Sequence, residues 1–383
     1  MKRLSIASVA LLALLAGGAV RVVQDQCGPF TDVTPAFCPY ILELYYLGVT
    51  AGTSATTFSP DDPLTRGQGS VFVAKGLNQA LARSSRRAAL GQWWTTTPHW
   101  DLGLGVTTLG SSPRWVACDG SDIWVGGENP GAGVARVRGS DGKLIENHSA
   151  MNPQDIVIAM GRVFAVVETA PFTGGLYSID PSQPDSEAVL VGQTDAGAGD
   201  PEGLAFDGSK FWIGLNGNSM WTFTPSPSLP WTGQAVPVGS FYNPIFDGTF
   251  IWAAGGPSLV RISSDGSTKL TVPVPATVQR LVFDGANVWA TTTSPDSVVV
   301  VSAGGTIVAN LTGNGLFLPG ALAFDGQRIL VTNANDSISL WTAADLTPLG
   351  SVQTGAGTNP SSVCSDGVNF WVALRGSGQL ARF

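Results

Sequence analysis

The sequence predicts a mainly β protein, in which a seven-bladed β-propeller follows a small N-terminal α-helical module. Two observations predict the propeller: an Asp-Gly turn motif recurs along the chain, and an unpaired strand precedes its first copy. Two amphipathic segments before residue 90 predict the helical module. A chain of 383 residues is long enough for at least two such units.

Composition supports a turn-rich β protein and excludes some partners. Only 13% of residues are charged, whereas Gly 48 and Pro 25 are both abundant. Lys+Arg 20 against Asp+Glu 28 gives a net charge of −8, which argues against nucleic acid or an anionic bilayer as the main partner. Four cysteines and two histidines supply few metal ligands, so no metal site and no cofactor are predicted.

The first element, residues 1–19, is typical of a secretory signal peptide. Two basic residues precede an apolar stretch from Ile6 to Leu15, and a run of small residues ends at Ala19. The alternative is an uncleaved membrane anchor, but the stretch is shorter than the roughly 20 residues that a spanning helix needs. We therefore expect export, no transmembrane anchor after cleavage, and a location at the cell envelope or surface, or otherwise outside the cell.

The second element, residues 27–90, is predicted to be the helical module. Residues 39–47 have an apolar face and are followed by Gly48, which indicates a short helix with a glycine terminator. Thr65 and Gln68 have the spacing of a capping box and predict the start of a second helix. Apolar residues at helical spacing predict its buried stripe: Val71, Phe72, Ala74, Leu77 and Leu81.

Two cysteines flank the entry to this module. Cys27 and Cys38 have ten residues between them. In an oxidising compartment a disulfide closing such a loop stabilises a fold by about 2 to 3 kcal/mol. We predict that these two cysteines are bonded.

The module resembles an S-layer homology domain from Phe30 to about Leu81. The shared pattern consists of Phe30-Thr-Asp32-Val33, Leu47-Gly-Val49, Gly52, Thr57-Phe-Ser-Pro60 and Pro63-Leu-Thr-Arg66. The resemblance implies non-covalent attachment to the cell envelope through a cell-wall polymer or peptidoglycan, with Thr65 and Arg66 in the ligand site. An arginine at a helix N-terminus also presents donors suited to a carboxylate or phosphate. The alternative is that Arg66 is a solvated first-turn residue.

Residues 91–103 form a short linker that contains three tryptophans and is expected to pack on the propeller. The propeller is predicted over residues 104–383. Its repeat is an apolar triplet, Asp-Gly, two variable residues, an apolar residue and usually Trp. With one degenerate copy at Met160-Gly161, seven copies lie between Asp119 and Asp366, and the period is about 41 residues. Asp-Gly between apolar runs predicts a hairpin, and four-stranded units at this period are propeller blades.

The recurring tryptophans are predicted to fill the wedges between blades as core residues and not to form a carbohydrate platform. They are Trp124, Trp212, Trp252, Trp289 and Trp371.

Closure of the ring follows from the two ends of this region. Too few residues follow Asp366 for a fourth strand, and residues 104–110 form an unassigned strand before the first repeat. Pairing them completes the seventh blade and removes an exposed sheet edge. Cys118 and Cys364 lie in first strands that become neighbours in this ring. They either form a disulfide across the closure or remain two buried thiols.

The repeats resemble secreted propellers of the NHL and streptogramin-lyase-like type over about residues 105–383. The resemblance implies the architecture and carries over no catalytic histidine, because His99 precedes the first blade and His148 falls in an outer strand.

The mouth of the central channel is the expected ligand site of the propeller. Loops that lead into the first strands carry polar residues that are able to form a ring there: Arg114, Asp155, Asp200, Glu202, Asn243, Gln279 and Arg280. The alternative is that these are ordinary turn-forming and solvated loop residues.

The sequence therefore favours an exported protein, tethered to the envelope, whose propeller binds an unknown ligand or protein or serves structural display. No catalytic residue is assigned. The alternative is a secreted propeller lyase or hydrolase that uses carboxylates at the channel mouth.

Overall fold

The structure is a computed structural model that divides the chain into two compact units, residues 1–83 and 84–383. It describes residues 29–34, 37–38, 41, 44–45, 49–81, 106–109, 112–128, 133–139, 142–148, 151–170, 172–183, 187–217, 219–367 and 369–383. The predicted signal peptide, the predicted linker and most of the first predicted helix lie outside these residues. No helix in the described part is long and apolar enough to cross a membrane.

The N-terminal unit is organised around Phe30, which is 1% exposed. Its ring packs edge-on against Tyr45 and Phe58, with centroids 5.3 and 5.6 Å away. Ile41 and Val49 are also buried. Ile41, Leu44 and Tyr45 are helical, as the pattern over residues 39–47 predicts. Cys38 is disulfide-bonded, whereas its predicted partner Cys27 lies outside the described residues.

Helix α1 (Arg66–Leu81) begins where the capping box predicts. The backbone N–H of Thr65 donates to Gln68 Oε1 at 2.9 Å, and the N–H of Gln68 donates back to Thr65 Oγ1 at 3.2 Å. The predicted buried stripe is wrong for two of the three residues whose side chains are described, whereas the third, Phe72, is half-buried. Val71 is 53% exposed and Ala74 is also exposed, because the buried centre of this unit is built on Phe30 and its neighbours and not on this face of α1.

The second unit is the predicted propeller, with seven four-stranded antiparallel sheets. Blade 1 contains β2 (Pro113–Cys118), β3 (Asp122–Gly127), β4 (Val134–Arg138) and β5 (Leu144–His148). Blade 2 contains β6 (Pro153–Ala159), β7 (Arg162–Ala170), β8 (Thr173–Ile179) and β9 (Val189–Gln193). Blade 3 contains β10 (Asp200–Phe206), β11 (Phe211–Asn216), β12 (Met220–Phe223) and β13 (Gly233–Val236). Blade 4 contains β14 (Tyr242–Phe246), β15 (Phe250–Ala254), β16 (Ser258–Ser263) and β17 (Lys269–Pro273).

The remaining blades follow the same order along the chain. Blade 5 contains β18 (Thr277–Phe283), β19 (Asn287–Thr293), β20 (Ser297–Ser302) and β21 (Ile307–Leu311). Blade 6 contains β22 (Pro319–Phe324), β23 (Arg328–Asn333), β24 (Ser337–Thr342) and β25 (Pro348–Gln353). Blade 7 contains β26 (Pro360–Ser365), β27 (Phe370–Leu374), β28 (Gln379–Arg382) and, from the start of the unit, β1 (Val106–Thr108).

Strand β1 closes the ring as predicted. It pairs antiparallel with β28, so that Val106 lies opposite Ala381 and Thr108 opposite Gln379. A disulfide between Cys118 and Cys364 joins the first strands of blades 1 and 7, with Cα atoms 6.0 Å apart. Of the two alternatives for these cysteines, the structure therefore forms the bond.

The core lies between neighbouring blades. The five repeat tryptophans are at most 1% exposed, as expected for wedge-filling residues. Each packs within an apolar cluster that joins two neighbouring blades, as Trp252 of blade 4 does with Val288 of blade 5. This packing fixes the first strands around a central channel.

Candidate functional site

The first candidate site is the start of α1 in the N-terminal unit. Arg66 is exposed, and its guanidinium makes no hydrogen bond or ion pair with the described residues. Thr65 differs, because its hydroxyl accepts from Gln68 N and donates to Gln68 Oε1 at 2.9 Å. Thr65 therefore holds the helix start, and Arg66 offers free donors beside it.

Other residues of the S-layer-like pattern have structural roles. The carboxylate of Asp32 accepts the backbone N–H of Phe58 at 2.8 Å and that of Ser59 at 2.7 Å. These bonds, Phe58 first, lower the pKa of Asp32. Gly52 has φ +78° and lies so close to Phe30 and Thr57 that a Cβ atom would clash with both. These residues shape the loop that precedes α1.

The second candidate site is a cavity of about 140 Å³ in the central channel of the propeller. The first strands of six blades contribute its lining, which includes Trp115, Asp155, Asn243, Arg280, Leu322 and Ser362. The floor and walls are partly apolar, and the polar groups come from separate blades. This is the general composition of a small-molecule site.

The predicted channel residues divide into two groups. Asp155, Asn243 and Arg280 line the cavity. The other four are not among the lining residues. Arg114 forms an ion pair with Glu128 at 2.7 Å, and Glu202 acts electrostatically on Arg280. The backbone oxygen of Gln279 accepts a hydrogen bond from Asn243 Nδ2 at 2.8 Å, and the Asp200 carboxylate accepts the Phe172 N–H at 3.0 Å.

Burial controls the electrostatics of the cavity. It raises the pKa of Asp155 to about 6, although the backbone N–H groups of Leu204 and Ile156 and the charge of Arg280 act in the opposite direction. Burial also lowers the pKa of Arg280, and the negative charge of Asp155 partly offsets this effect. Both groups therefore lie where solvation by water is incomplete.

Asp155 is held firmly by its neighbours. Its Oδ2 accepts the Leu204 N–H at 2.9 Å, and its Oδ1 accepts the Ile156 N–H at 2.8 Å. The first of these bonds links blade 2 to blade 3. Asp155 is the one carboxylate among the described lining residues of the cavity, whereas acid–base catalysis by paired carboxylates needs two.

Sequence reasoning missed Trp115 and Ser362, which also line the cavity. The guanidinium carbons of Arg114 and Arg280 lie 5.2 and 4.8 Å from the Trp115 ring centroid. Both missed residues stand four positions before the Asp of the repeat, as Arg280 and Asn243 do. This shared position in the repeat was the feature of the sequence that predicts a place in the cavity lining.

His148 lies on β5, the outer strand of blade 1, where it is buried beside Glu146 and the Trp124 ring. It is not among the channel-lining residues that the structure describes, and His99 lies outside the described part of the chain. Within the described ranges, no group of three or more His, Cys, Asp and Glu residues is arranged to hold a metal ion.

Comparison with known proteins identifies the N-terminal unit. The family model for the S-layer homology domain matches residues 29–68. An endoglucanase from Bacillus sp. (strain KSM-635) is 41% identical over 71 residues, which cover 18% of this chain and 8% of the endoglucanase. That similarity falls on the S-layer homology region alone.

Solved structures resemble the propeller in fold. A catalytically inactive variant of virginiamycin B lyase from Staphylococcus aureus with quinupristin aligns at a TM-score of 0.57 and 16% identity, covering 73% of this chain and 97% of that chain. A streptogramin B lyase structure aligns at 0.53 and 16% identity, covering 73% and 96%. At this identity the likeness shows the fold and no activity. The chain thus contains an S-layer homology domain at residues 29–68 and a seven-bladed β-propeller.

Proposed function

We propose that this protein is exported and held non-covalently at the cell envelope by its S-layer homology domain, and that its propeller is displayed there as a binding or structural domain. The ligand of the N-terminal unit is a cell-wall polymer or peptidoglycan. In this proposal residues 1–19 are a cleaved leader, residues 27–90 the tether, residues 91–103 a linker and residues 104–383 the displayed propeller.

The observation that carries the proposal is the free guanidinium of Arg66 at the start of α1, inside the region that the family model matches. Cell-wall polymers carry anionic groups, and an arginine beside unpaired helix N–H groups binds such groups through charge-assisted hydrogen bonds. Thr65 supports the site by fixing the helix start through its bonds with Gln68.

A cosedimentation assay with isolated bacterial sacculi tests the tether. The wild-type protein is expected to pellet with the sacculi, and Arg66→Ala to weaken binding about 10- to 100-fold, the loss expected for one charge-assisted contact. Lys75→Ala is the matched control, because Lys75 is an exposed cation on the same helix. Wild-type protein that stays in the supernatant, or equal binding by both variants, would contradict the proposal.

The alternative of a propeller lyase or hydrolase has less support. Asp155 is the one carboxylate among the described residues that line the cavity, and each of its oxygens accepts one backbone N–H. Asp200 does not line the cavity, and its carboxylate accepts the backbone N–H of Phe172. The geometry therefore favours binding over acid–base chemistry at this channel.

A further inference from the structure

Each first strand of the propeller contains a β-bulge at a similar place in the repeat. The irregular step always falls between two and seven residues before the Asp-Gly position. The shifts lie between Pro113/Trp115, Pro153/Asp155, Pro201/Leu204, Tyr242/Ile245, Val278/Leu281, Pro319/Leu322 and Pro360/Ser362. Bulges redirect side chains and are common beside binding sites. Seven bulges in register around a channel therefore present a ring of redirected residues.

The residues at this ring differ between blades. Blades 1 to 5 carry charged or amide residues there, among them Arg114, Asp155, Glu202, Asn243 and Arg280. Blades 6 and 7 carry small ones: Gly320, Ala321, Ser361 and Ser362. The small residues leave space in the cavity next to Arg280, because blade 5 adjoins blade 6.

Arg280 has donors that the protein does not use. Its Nη1 donates to the backbone oxygen of Gln279 at 3.2 Å, and the guanidinium makes no ion pair with the described residues. Asp155, although close enough to influence it, uses both oxygens for backbone N–H groups. Arginine has five N–H donors, so most of those on Arg280, a residue that lines the cavity, have no partner among the described residues.

The residues around Arg280 indicate what kind of ligand the cavity accepts. The Trp115 ring lies 4.8 Å from the guanidinium carbon and orients it by stacking. The Trp115 indole N–H is buried without a hydrogen-bond partner among the described residues. Ser362 lines the same cavity, and its hydroxyl makes no hydrogen bond with the described residues. Apolar walls from Leu281 and Leu322 complete the cavity.

From these contacts we infer that the central cavity binds the carboxylate end of a small ligand, with Arg280 as the principal donor and Ser362 as a second one. A guanidinium fork matches a carboxylate in a bidentate pair. A monoanion is favoured over a dianionic phosphate, because Asp155 and Glu202 are close enough to repel the additional charge. This inference deepens the proposal that the propeller is a binding domain.

Calorimetric titration of the whole protein with sodium acetate, in a buffer free of other carboxylates, tests the site. Acetate is expected to bind with one site per chain, and Arg280→Gln to weaken binding about tenfold or more. Arg261→Gln is the matched control, because Arg261 also stacks on an aromatic ring, that of Phe250 at 4.3 Å, but does not line the cavity. It is expected to bind acetate as the wild type does.

Two ligand controls and a second variant keep the test decisive if Arg280→Gln is poorly folded. Ser362→Ala removes the hydroxyl without adding bulk to the cavity, and is expected to weaken acetate binding several-fold. Acetamide, which is neutral and similar in shape, is expected not to bind. Inorganic phosphate that binds more tightly than acetate, acetamide that binds equally well, or unchanged affinity in both cavity variants would overturn the inference.

The outcome is separable from that of the tether. Arg280→Gln is expected to pellet with sacculi like the wild type, and Arg66→Ala to retain its affinity for acetate. A negative acetate titration therefore leaves the envelope proposal standing, and failure of the sacculus assay leaves the cavity result standing.

Discussion

A single substitution, Asp207→Ala, tests how the repeat motif stabilises a blade. The Asp207 Oδ2 accepts the indole N–H of Trp212 at 2.8 Å, and Oδ1 accepts the backbone N–H groups of Ser209 and Lys210 at 2.8 and 2.7 Å. Trp212 is fully buried. One side chain thus fixes both the turn and the wedge-filling tryptophan.

The same bond recurs around the ring. In five blades the indole N–H donates to the Asp five residues earlier: Trp124 to Asp119 (2.9 Å), Trp212 to Asp207 (2.8 Å), Trp252 to Asp247 (2.7 Å), Trp289 to Asp284 (2.6 Å) and Trp371 to Asp366 (2.7 Å). Blade 6 has Leu330 in place of Trp, and there Arg328 Nε donates to Asp325 at 2.8 Å. Blade 2 lacks both partners: Met160 replaces the Asp, and Phe164 follows it after four positions and not five.

Removing the carboxylate leaves the buried indole N–H without an acceptor and releases the turn. Losing a hydrogen bond to a charged group and leaving its buried donor unpaired costs about 3 kcal/mol. For a domain of this size that corresponds to a decrease in unfolding temperature of roughly 4 to 6 °C. Differential scanning calorimetry measures this change, and Asp265→Ala, in an exposed turn, is the control.

A double-mutant cycle isolates the bond to the tryptophan. Trp212→Phe keeps an aromatic ring but removes the N–H, so Asp207→Ala is expected to cost less in that background, by about 1.5 to 3 kcal/mol. If Asp207→Ala had the same cost in both backgrounds, or no greater cost than Asp265→Ala, the Asp–Trp bond would not be a determinant of blade stability.

Three further predictions concern other parts of the molecule. Replacing Cys118 and Cys364 together by alanine removes a bond with a sequence separation of 246 residues and is expected to cost the propeller at most about 5 kcal/mol. Calorimetry is expected to show a lower unfolding temperature of the propeller, which reductant also lowers in the wild type but not in the variant. Burial raises the pKa of Asp155 to about 6, so the folded state retains a proton that the unfolded chain loses above about pH 4. The stability of the wild type relative to Asp155→Asn is therefore expected to fall by about 2 to 3 kcal/mol between pH 4 and 6. Thermal unfolding of both proteins across that range measures this change, and a stability difference that does not vary with pH would contradict the raised pKa. Asp32→Ala removes the acceptor of two backbone N–H groups and is expected to make the loop around Phe58 more sensitive to limited proteolysis, whereas an unchanged cleavage rate would show that these bonds do not hold the loop.

The architecture was predictable because its signals are local and repeated. The Asp-Gly turn fixes a hairpin by backbone conformation, and its regular recurrence sets the number of blades. The strand predicted within residues 104–110, which the structure shows at Val106–Thr108, followed from counting what the last blade lacked. The Asp–Trp bond joins residues five positions apart on one hairpin. The repeat contains both residues at this spacing, but the spacing alone does not show that they are hydrogen-bonded.

Other features depended on tertiary geometry. Whether Cys118 and Cys364 bond each other depends on the separation of two strands that are far apart in sequence, and the structure sets it at 6.0 Å between Cα atoms. The bulges affect which residues line the cavity, so Trp115 was missed, and Asp200, which was predicted at the channel mouth, bonds to Phe172 and does not line the cavity. The periodicity of α1 predicted a buried Val71, but periodicity does not specify whether a partner surface is present.

The most direct test of the central claim compares sacculus binding by the whole chain with that of residues 84–383 alone, the second compact unit. If the S-layer homology domain is the tether, the isolated propeller is expected to remain in the supernatant at concentrations where the whole chain pellets. Equal pelleting of both proteins would place the envelope contact on the propeller and contradict the account.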